Sequence, residues 1–260
     1  MGGPSEILLT CGIGDFIAME SYFTAAERDS VEVIHWATRA RKSLMELVPF
    51  VFRNVKRHVV ERDTWGPAFS KDFSIASRDE LPGLDGSVVD WNVNAIVEQV
   101  RAGKRTYAVS PLIAQPLWDI THLQLPERYF VVHPYSENAR TPVRDLSFNE
   151  WLSVYSFVRA RHTSVVVVNK GGIPYASPSD VIDFTDRLDL LAAIEVTKGA
   201  CGFAGVASVF SVVASKVLPK ESLFIKGGRD LRENYSSFYY APLVGNSFIT
   251  DNLIKICQGQ

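Results

Sequence analysis

The chain has 260 residues, 47% hydrophobic and 22% charged, with a net charge of -2. That composition excludes a disordered or collagen-like chain and supplies enough apolar residues for one large core or two smaller ones. The charge balance argues against a surface that coats nucleic acid, and it leaves room for a local basic groove at Arg39–Lys42 or Arg53–His58, which a solvated helix face explains as well.

Taken in chain order, short apolar runs alternate with helical periodicity. "EILLT" reads as a strand and "FIAMESYFTAAER" as one helix. "VEVIHWA" is strand, "TRARKSLMELVPF" helix and "VKRHVVE" strand, whereas residues 70–90 read as loop around "LPGLDGS". "WNVNAIVEQVRAG" reads as a helix closed by Gly103. Pro111, Pro116 and Pro126 interrupt the next stretch, whose end is taken as a linker. A second alternating set follows. "RYFVVHPYS" is strand then loop, and "SFNEWLSVYSFVRAR" is a helix with Ser147 as N-cap and Glu150 in the capping-box position. "SVVVVN" is a buried strand, "DVIDFTD" a short one and "LDLLAAIEVTKGA" a helix. "GFAGVAS", "VFSVVASKVL" and "ESLFIKG" read as strand, helix and strand, and "DNLIKICQ" as a last helix.

Two βα sets around a Pro-rich break predict an α/β protein of two doubly wound Rossmann-like lobes with a cleft between them, residues 1–127 and 128–260. Ligands of such sheets sit beyond the carboxyl ends of the strands, so the loops that follow strands deserve most weight. Three widely spaced cysteines without C-x-x-C, and five scattered histidines, predict neither a disulfide framework nor a protein-held metal. They fit a reducing, cytoplasmic setting. The start "MGGPSE" lacks a signal peptide's basic and apolar regions, and the uncharged Gly199–Ser215 stretch is short of a membrane span. No transmembrane segment is therefore expected.

Three loops carry chemistry. In "CGIGD", Gly12 and Gly14 permit positive φ and close approach, and Asp15 opens a helix whose dipole favours negative charge. Asp15 is either an N-cap or a catalytic carboxylate. The dinucleotide pattern G-x-G-x-x-G fails at Ile17, and no P-loop G-K-[ST] follows. In "FVVHPYSENARTPVRDLSFNEW", Ser136, Asn138, Arg140 and Arg144 offer donors for a diphosphate, or form a plain solvent loop. In "GFAGVASVFSVVASKVLP", Gly205, Ser208 and Ser211 lead into a helix N-terminus that could hold a phosphate, or simply pack closely. Lys170 in "NKGG" and Lys226 could reach the same phosphates, Glu195 a ribose, and Tyr239 and Tyr240 a base; each also has an ordinary structural reading.

In this order the segments resemble glycosyltransferase family nine, the heptosyltransferase-like enzymes of the GT-B fold. "LLTCGIGDFIAME" is similar to the family's first strand and G-x-G-D turn, and "VVHPYSENARTPVRDLSFNEW" to the strand, donor loop and Trp-bearing helix that open its second lobe. "VIDFTDRLDLLAAIEVTKGACGFAGVASVFSVVASKVLP" looks like its nucleotide-sugar segment, and "LFIKGG" and "YYAPL" like its closing segments. The resemblance implies an inverting, metal-independent transfer of a sugar from a nucleotide-diphosphate donor to a hydroxyl acceptor. Asp15 would be the general base, with Ser136, Asn138, Arg140, Arg144, Lys170, Gly205, Ser208, Ser211 and Lys226 on the donor side. The donor is a substrate and no cofactor is implied. The acceptor would be a glycan, a lipid-linked sugar or a modified base. The family's D-S-G-x-x-H turn is replaced by "GVASVFS", with Gly205 and Phe210 in place of the acid and histidine, closer to a subgroup with G-x-x-S-x-x-S. The chain is also short for the family, which points to a small acceptor or one presented by a partner. Two alternatives stand beside the transferase: a catalytically degenerate nucleotide- or sugar-binding protein, and a phage-type DNA-base glycosyltransferase.

Overall fold

Ile7, Leu8 and Leu9 have no solvent exposure, which is what a strand inside a two-faced parallel sheet requires. In this computed structural model, residues 4–38, 40–60, 88–91, 93–135, 145–171 and 177–226 are described. The chain divides into two compact units, Met1–Leu112 and Ile113–Gln260.

The first unit contains strands β1 (Glu6–Leu9), β2 (Val33–Trp36), β3 (Arg57–Val60) and β4 (Val89–Trp91). All pair in parallel in the order β3-β2-β1-β4. Its helices are α1 (Ile13–Glu20), α2 (Ala25–Ser30), α3 (Arg41–Val51) and α4 (Val93–Arg101), and the short α5 (Pro111–Ala114) spans the boundary between the units. The strand β4 corrects the loop reading of residues 70–90, because Ile7, Leu8 and Leu9 pair with Val89, Asp90 and Trp91. Trp91 then stacks on Phe23 at 4.3 Å and faces Phe52 at 5.7 Å, building an aromatic core under the sheet. The single helix expected after β1 is two. α1 stops at Glu20, and Thr24 starts α2 by exchanging capping bonds with Glu27.

The second unit contains β5 (Tyr129–His133), β6 (Ser164–Val167), β7 (Ile182–Asp183), β8 (Gly202–Val206) and β9 (Leu223–Lys226), again all parallel, in the order β7-β6-β5-β8-β9. α6 (Phe148–Arg159) begins as its sequence predicts, with Ser147 and Glu150 exchanging side-chain and backbone bonds. Trp151, Val154 and Val158, three and four residues apart on one helix face, pack on Phe130, Val132, Val165, Val167, Ala204 and Phe224. A Cβ at Gly202 would overlap the Phe130 ring, so glycine is the residue that lets this ring lie across β8. On the opposite face, Tyr129 donates its hydroxyl to the Val196 carbonyl of α7 (Leu190–Lys198), and α7 packs on α8 (Val209–Val217). Helices on both faces of a parallel sheet define the doubly wound arrangement expected from the sequence.

In both sheets the chain steps outward from its first strand and later returns to that strand's other side. The order therefore reverses between β1 and β4 in one unit and between β5 and β8 in the other. Such reversal points open a crevice at the carboxyl edge of a sheet, where ligands of these folds bind.

Candidate functional site

In the first unit, the described residues at this edge include Cys11, Gly12 and Asp15. Asp15 is the third residue of α1, not its N-cap, a place taken by Gly12. Its Oδ2 accepts the Gly12 amide at 2.8 Å. Gly12 has φ -76°, and Gly14 lies inside α1, so neither glycine is there for a left-handed backbone. A Cβ on Gly12 would sit 3.1 Å from Asp15 Oδ2. The missing side chain makes room for the carboxylate to fold back on its own turn. The carboxylate is thus half-buried, accepts the Gly12 amide and is seated in the first turn of a helix, which favours its charge.

In the second unit, the edge is built from the ends of β5, β6, β7 and β8. His133 closes β5, and its Nδ1 lies 2.7 Å from the Val168 carbonyl. A carbonyl only accepts, so Nδ1 carries the proton. Burial pushes the imidazole's pKa down to about 4 against the raising effect of that bond, which leaves the ring neutral at pH 7. Phe210, near the start of α8, meets it edge-on at 4.9 Å.

Gly205 pairs with His133 in the sheet, and a Cβ there would run into the His133 carbonyl. Beyond it stands Ser208, the extended N-cap of α8. Its amide donates to Ser211 Oγ at 2.8 Å, and Ser211 Oγ donates back to the Ser208 carbonyl at 2.7 Å. The Ser208 hydroxyl makes no capping bond, and its Oγ is buried without a hydrogen-bond partner. By helix geometry, the first-turn amides of α8 have no acceptor inside the helix.

Sequence reasoning assigned no role to a second group at this edge. Asn169 is 94% buried. Its Nδ2 donates to the Gly171 carbonyl at 2.7 Å, which fixes the amide's orientation and leaves Oδ1 buried without a partner. The corner is stiff. Asp186 donates its amide to the Asn169 carbonyl, and the Gly171 amide donates to Asp186 Oδ1 at 2.8 Å. Asp186 and Gly171 are both left-handed, at φ 57° and 77°. Beside Asp186, Thr185 Oγ1 is likewise buried and unpartnered. An orphaned buried oxygen costs about 1–3 kcal/mol, so three at one sheet edge make it the candidate place for further polar partners, water or ligand. The visible signal was an amide directly after four valines, where another β-branched residue would have continued the strand.

Other predicted site residues divide. Lys170 is exposed in the loop that follows β6. Lys226, at the end of β9, donates to Glu150 Oε2 and to the Asp145 carbonyl, both at 2.8 Å, and so ties β9 to the start of α6. Burial pushes the Glu150 carboxyl up, but the bonds from Lys226 and Ser147 outweigh it and hold the group below its ordinary range. Glu195 accepts the Leu117 amide at 2.7 Å and Lys198 at 2.6 Å, fastening the segment after α5 to α7. Ser136, Asn138, Arg140, Arg144, Tyr239 and Tyr240 lie outside the described residues. In the basic clusters, Arg53 pairs with Asp29 and Lys56 with Glu32, which spends part of their charge locally. Among the described residues, no three His, Cys, Asp or Glu side chains gather into a metal-sized cluster, and no helix is long and apolar enough to cross a membrane.

No protein-family model matches the chain, and no curated protein matches it. Among solved structures, it is similar to the dodecameric iron-containing heptosyltransferase TibC in complex with ADP-D-β-D-heptose, at 12% identity and TM-score 0.44. It is also similar to the dodecameric glycosyltransferase TibC from enterotoxigenic E. coli H10407, at 13% identity and TM-score 0.47. Each alignment covers 100% of this chain and 78% of the other.

Proposed function

We propose that the protein is a glycosyltransferase that takes its sugar from a nucleoside-diphosphate donor bound at the carboxyl edge of the second sheet. One observation carries this reading: Ser208 presents a buried, unpartnered hydroxyl at the N-terminus of α8, beside first-turn amides with no intrahelical acceptor. Hydroxyl and amide donors at a positive helix end suit a phosphate. The unpartnered Asn169 Oδ1 and the Asp186 carboxylate accept rather than donate, so that corner repels phosphate and suits the hydroxyls or amines of the nucleoside. Ser136, Asn138, Arg140, Arg144, Lys170 and Lys226 belong to the same proposal as further donor-side residues.

The transfer is proposed as inverting and metal-independent. The acceptor hydroxyl attacks the anomeric carbon, the bond from that carbon to the diphosphate oxygen breaks, and Asp15 takes the hydroxyl proton. The nucleoside diphosphate leaves with its new charge met by the α8 amides and Ser208. The expected result for Asp15→Asn is a loss of transfer of about 10²–10⁴-fold, the range a general base supplies, with nucleotide affinity retained in calorimetric titration. Transfer at the parent rate would remove Asp15 from the mechanism.

A second reading, binding without chemistry, draws on Phe210. Its ring packs against a neutral His133, so this part of the edge presents an aromatic and an uncharged imidazole. Tight nucleotide binding with no product from any sugar donor and acceptor would decide for it.

A further inference from the structure

The peptide unit between Cys11 and Gly12 is gripped from both ends. Its N–H donates to Asp15 Oδ2 at 2.8 Å. Its C=O accepts from Thr38 Oγ1 at 2.9 Å. Thr38 stands in the turn that leads from β2 to α3, 27 residues further along the chain. Its hydroxyl is itself pinned, because the Ala40 amide donates to Oγ1 at 3.2 Å. A hydroxyl has a single proton, so accepting from Ala40 while lying against a carbonyl directs that proton at Cys11. A second clamp lies just before it, where the Ala37 amide, one residue before Thr38, donates to the Leu9 carbonyl, two residues before Cys11, at 3.1 Å.

We propose that Thr38 is a positioning residue for Asp15, acting through the Cys11–Gly12 peptide. The hydroxyl does so in two ways. It fixes the rotation of the peptide plane, and with it the direction in which the Gly12 N–H points at the carboxylate. It also polarises the amide, since a bond accepted at C=O strengthens the bond donated at N–H by roughly 10–30%. Without it, a turn of small residues between strand and helix has one fewer bond holding that plane. The Gly12 N–H would then be aimed less firmly at Asp15 Oδ2.

The effect on rate rests on the base role proposed for Asp15, whereas the bond relay itself does not, and the test separates them. The Gly12 amide is followed by proton–nitrogen NMR in the full chain, with the Ala40 amide as an internal control for the local bond to Thr38. Thr38→Val removes the hydroxyl at nearly constant shape. The Gly12 amide proton is expected to move upfield and to exchange faster with solvent, and Thr38→Ser is expected to restore both. Thr38→Ala gives the same readout if valine is not accommodated. Transfer assays on the same variants are expected to show kcat lowered about tenfold, a fraction of the ~10²–10⁴ a general base supplies. The KM for donor and acceptor should not change, and serine should rescue the rate. An unmoved Gly12 amide in the hydroxyl-free variants would overturn the relay. If Gly12 moves but Asp15→Asn retains full transfer, the relay stands and the base reading falls.

Discussion

Ser208 gives the sharpest separation between a structural and a ligand-facing side chain. A serine at an N-cap ordinarily stabilises its helix, and replacing it by alanine costs about 0.5–2 kcal/mol. Here the hydroxyl makes no capping bond, although Ser211 Oγ accepts the Ser208 amide from the other side of the turn. Ser208→Ala is therefore expected to leave the melting temperature of the ligand-free protein unchanged or slightly raised. Nucleoside-diphosphate binding should weaken by about tenfold or more, the worth of one hydrogen bond to a charged group. Melting curves and titration calorimetry on the one variant read both; a lowered melting temperature with intact affinity would make Ser208 an ordinary cap. The residue types of the candidate site were legible in the sequence where a loop pattern carried them, as in Gly12–Asp15 and Gly205–Ser211. Their local geometry was not. Gly12 was read as permitting either positive φ or close approach, and its backbone shows that the close approach, by Asp15, is the one used. Asn169 gave only its place after a strand, because a polar atom is orphaned by its three-dimensional surroundings and not by its neighbours in sequence.

Among the elements, the two that departed from expectation did so because long-range partners decided them. Val89–Trp91 has too few residues to announce a strand, and its pairing with β1 makes it one. The break after α1 follows from Thr24 and Glu27, whose capping box starts a new helix where hydrophobic spacing alone would run on. By contrast, Ser147 and Glu150 were legible because a capping box is local chemistry. Glu27 then does a second job. Its carboxylate meets Arg105 at 2.5 Å, with both side chains largely buried, and Arg105 also donates to the Tyr22 carbonyl. The α2 start and the segment after α4 are thereby joined. Burial pushes the Glu27 carboxyl up, but Arg105 and Thr24 outweigh it and hold it below the ordinary value of 4.5. With the folded value depressed, this contribution to stability is complete above pH 4.5 and is lost as pH falls through the lower folded value. Glu27→Gln is expected to lower stability near neutral pH by about 1–3 kcal/mol and to flatten the acid limb below pH 4.5. Urea midpoints measured across that limb check it; parallel acid limbs for the two proteins would show that other carboxylates set it.

At the scale of the whole chain, alternation of strands and helices was enough to read two doubly wound units, because parallel strands need crossovers and crossovers cover both faces. The strand orders add what alternation does not contain. Each unit reverses at its first strand, so each has its own switch point, at β1/β4 and at β5/β8. The unpartnered Asn169, Thr185 and Ser208 oxygens lie at the second of these edges, whereas the first edge offers a carboxylate already seated on its own turn. Both edges hold a carboxylate, Asp15 in the first and Asp186 in the second, but the second also has the Ser208 hydroxyl and the first-turn amides of α8 as donors, and the donor placement proposed above rests on those. A nucleoside diphosphate at about 100 times its dissociation constant should stabilise the protein by about 2.7 kcal/mol through mass action. Hydrogen exchange should locate that gain. Added protection is expected in the amides after β5, at 169–171, at 185–189 and at 207–211, with 10–15 unchanged. Protection that instead gathers at 10–15 would place the diphosphate on the first unit, against its carboxylate, and would reverse the roles proposed for the two sheets.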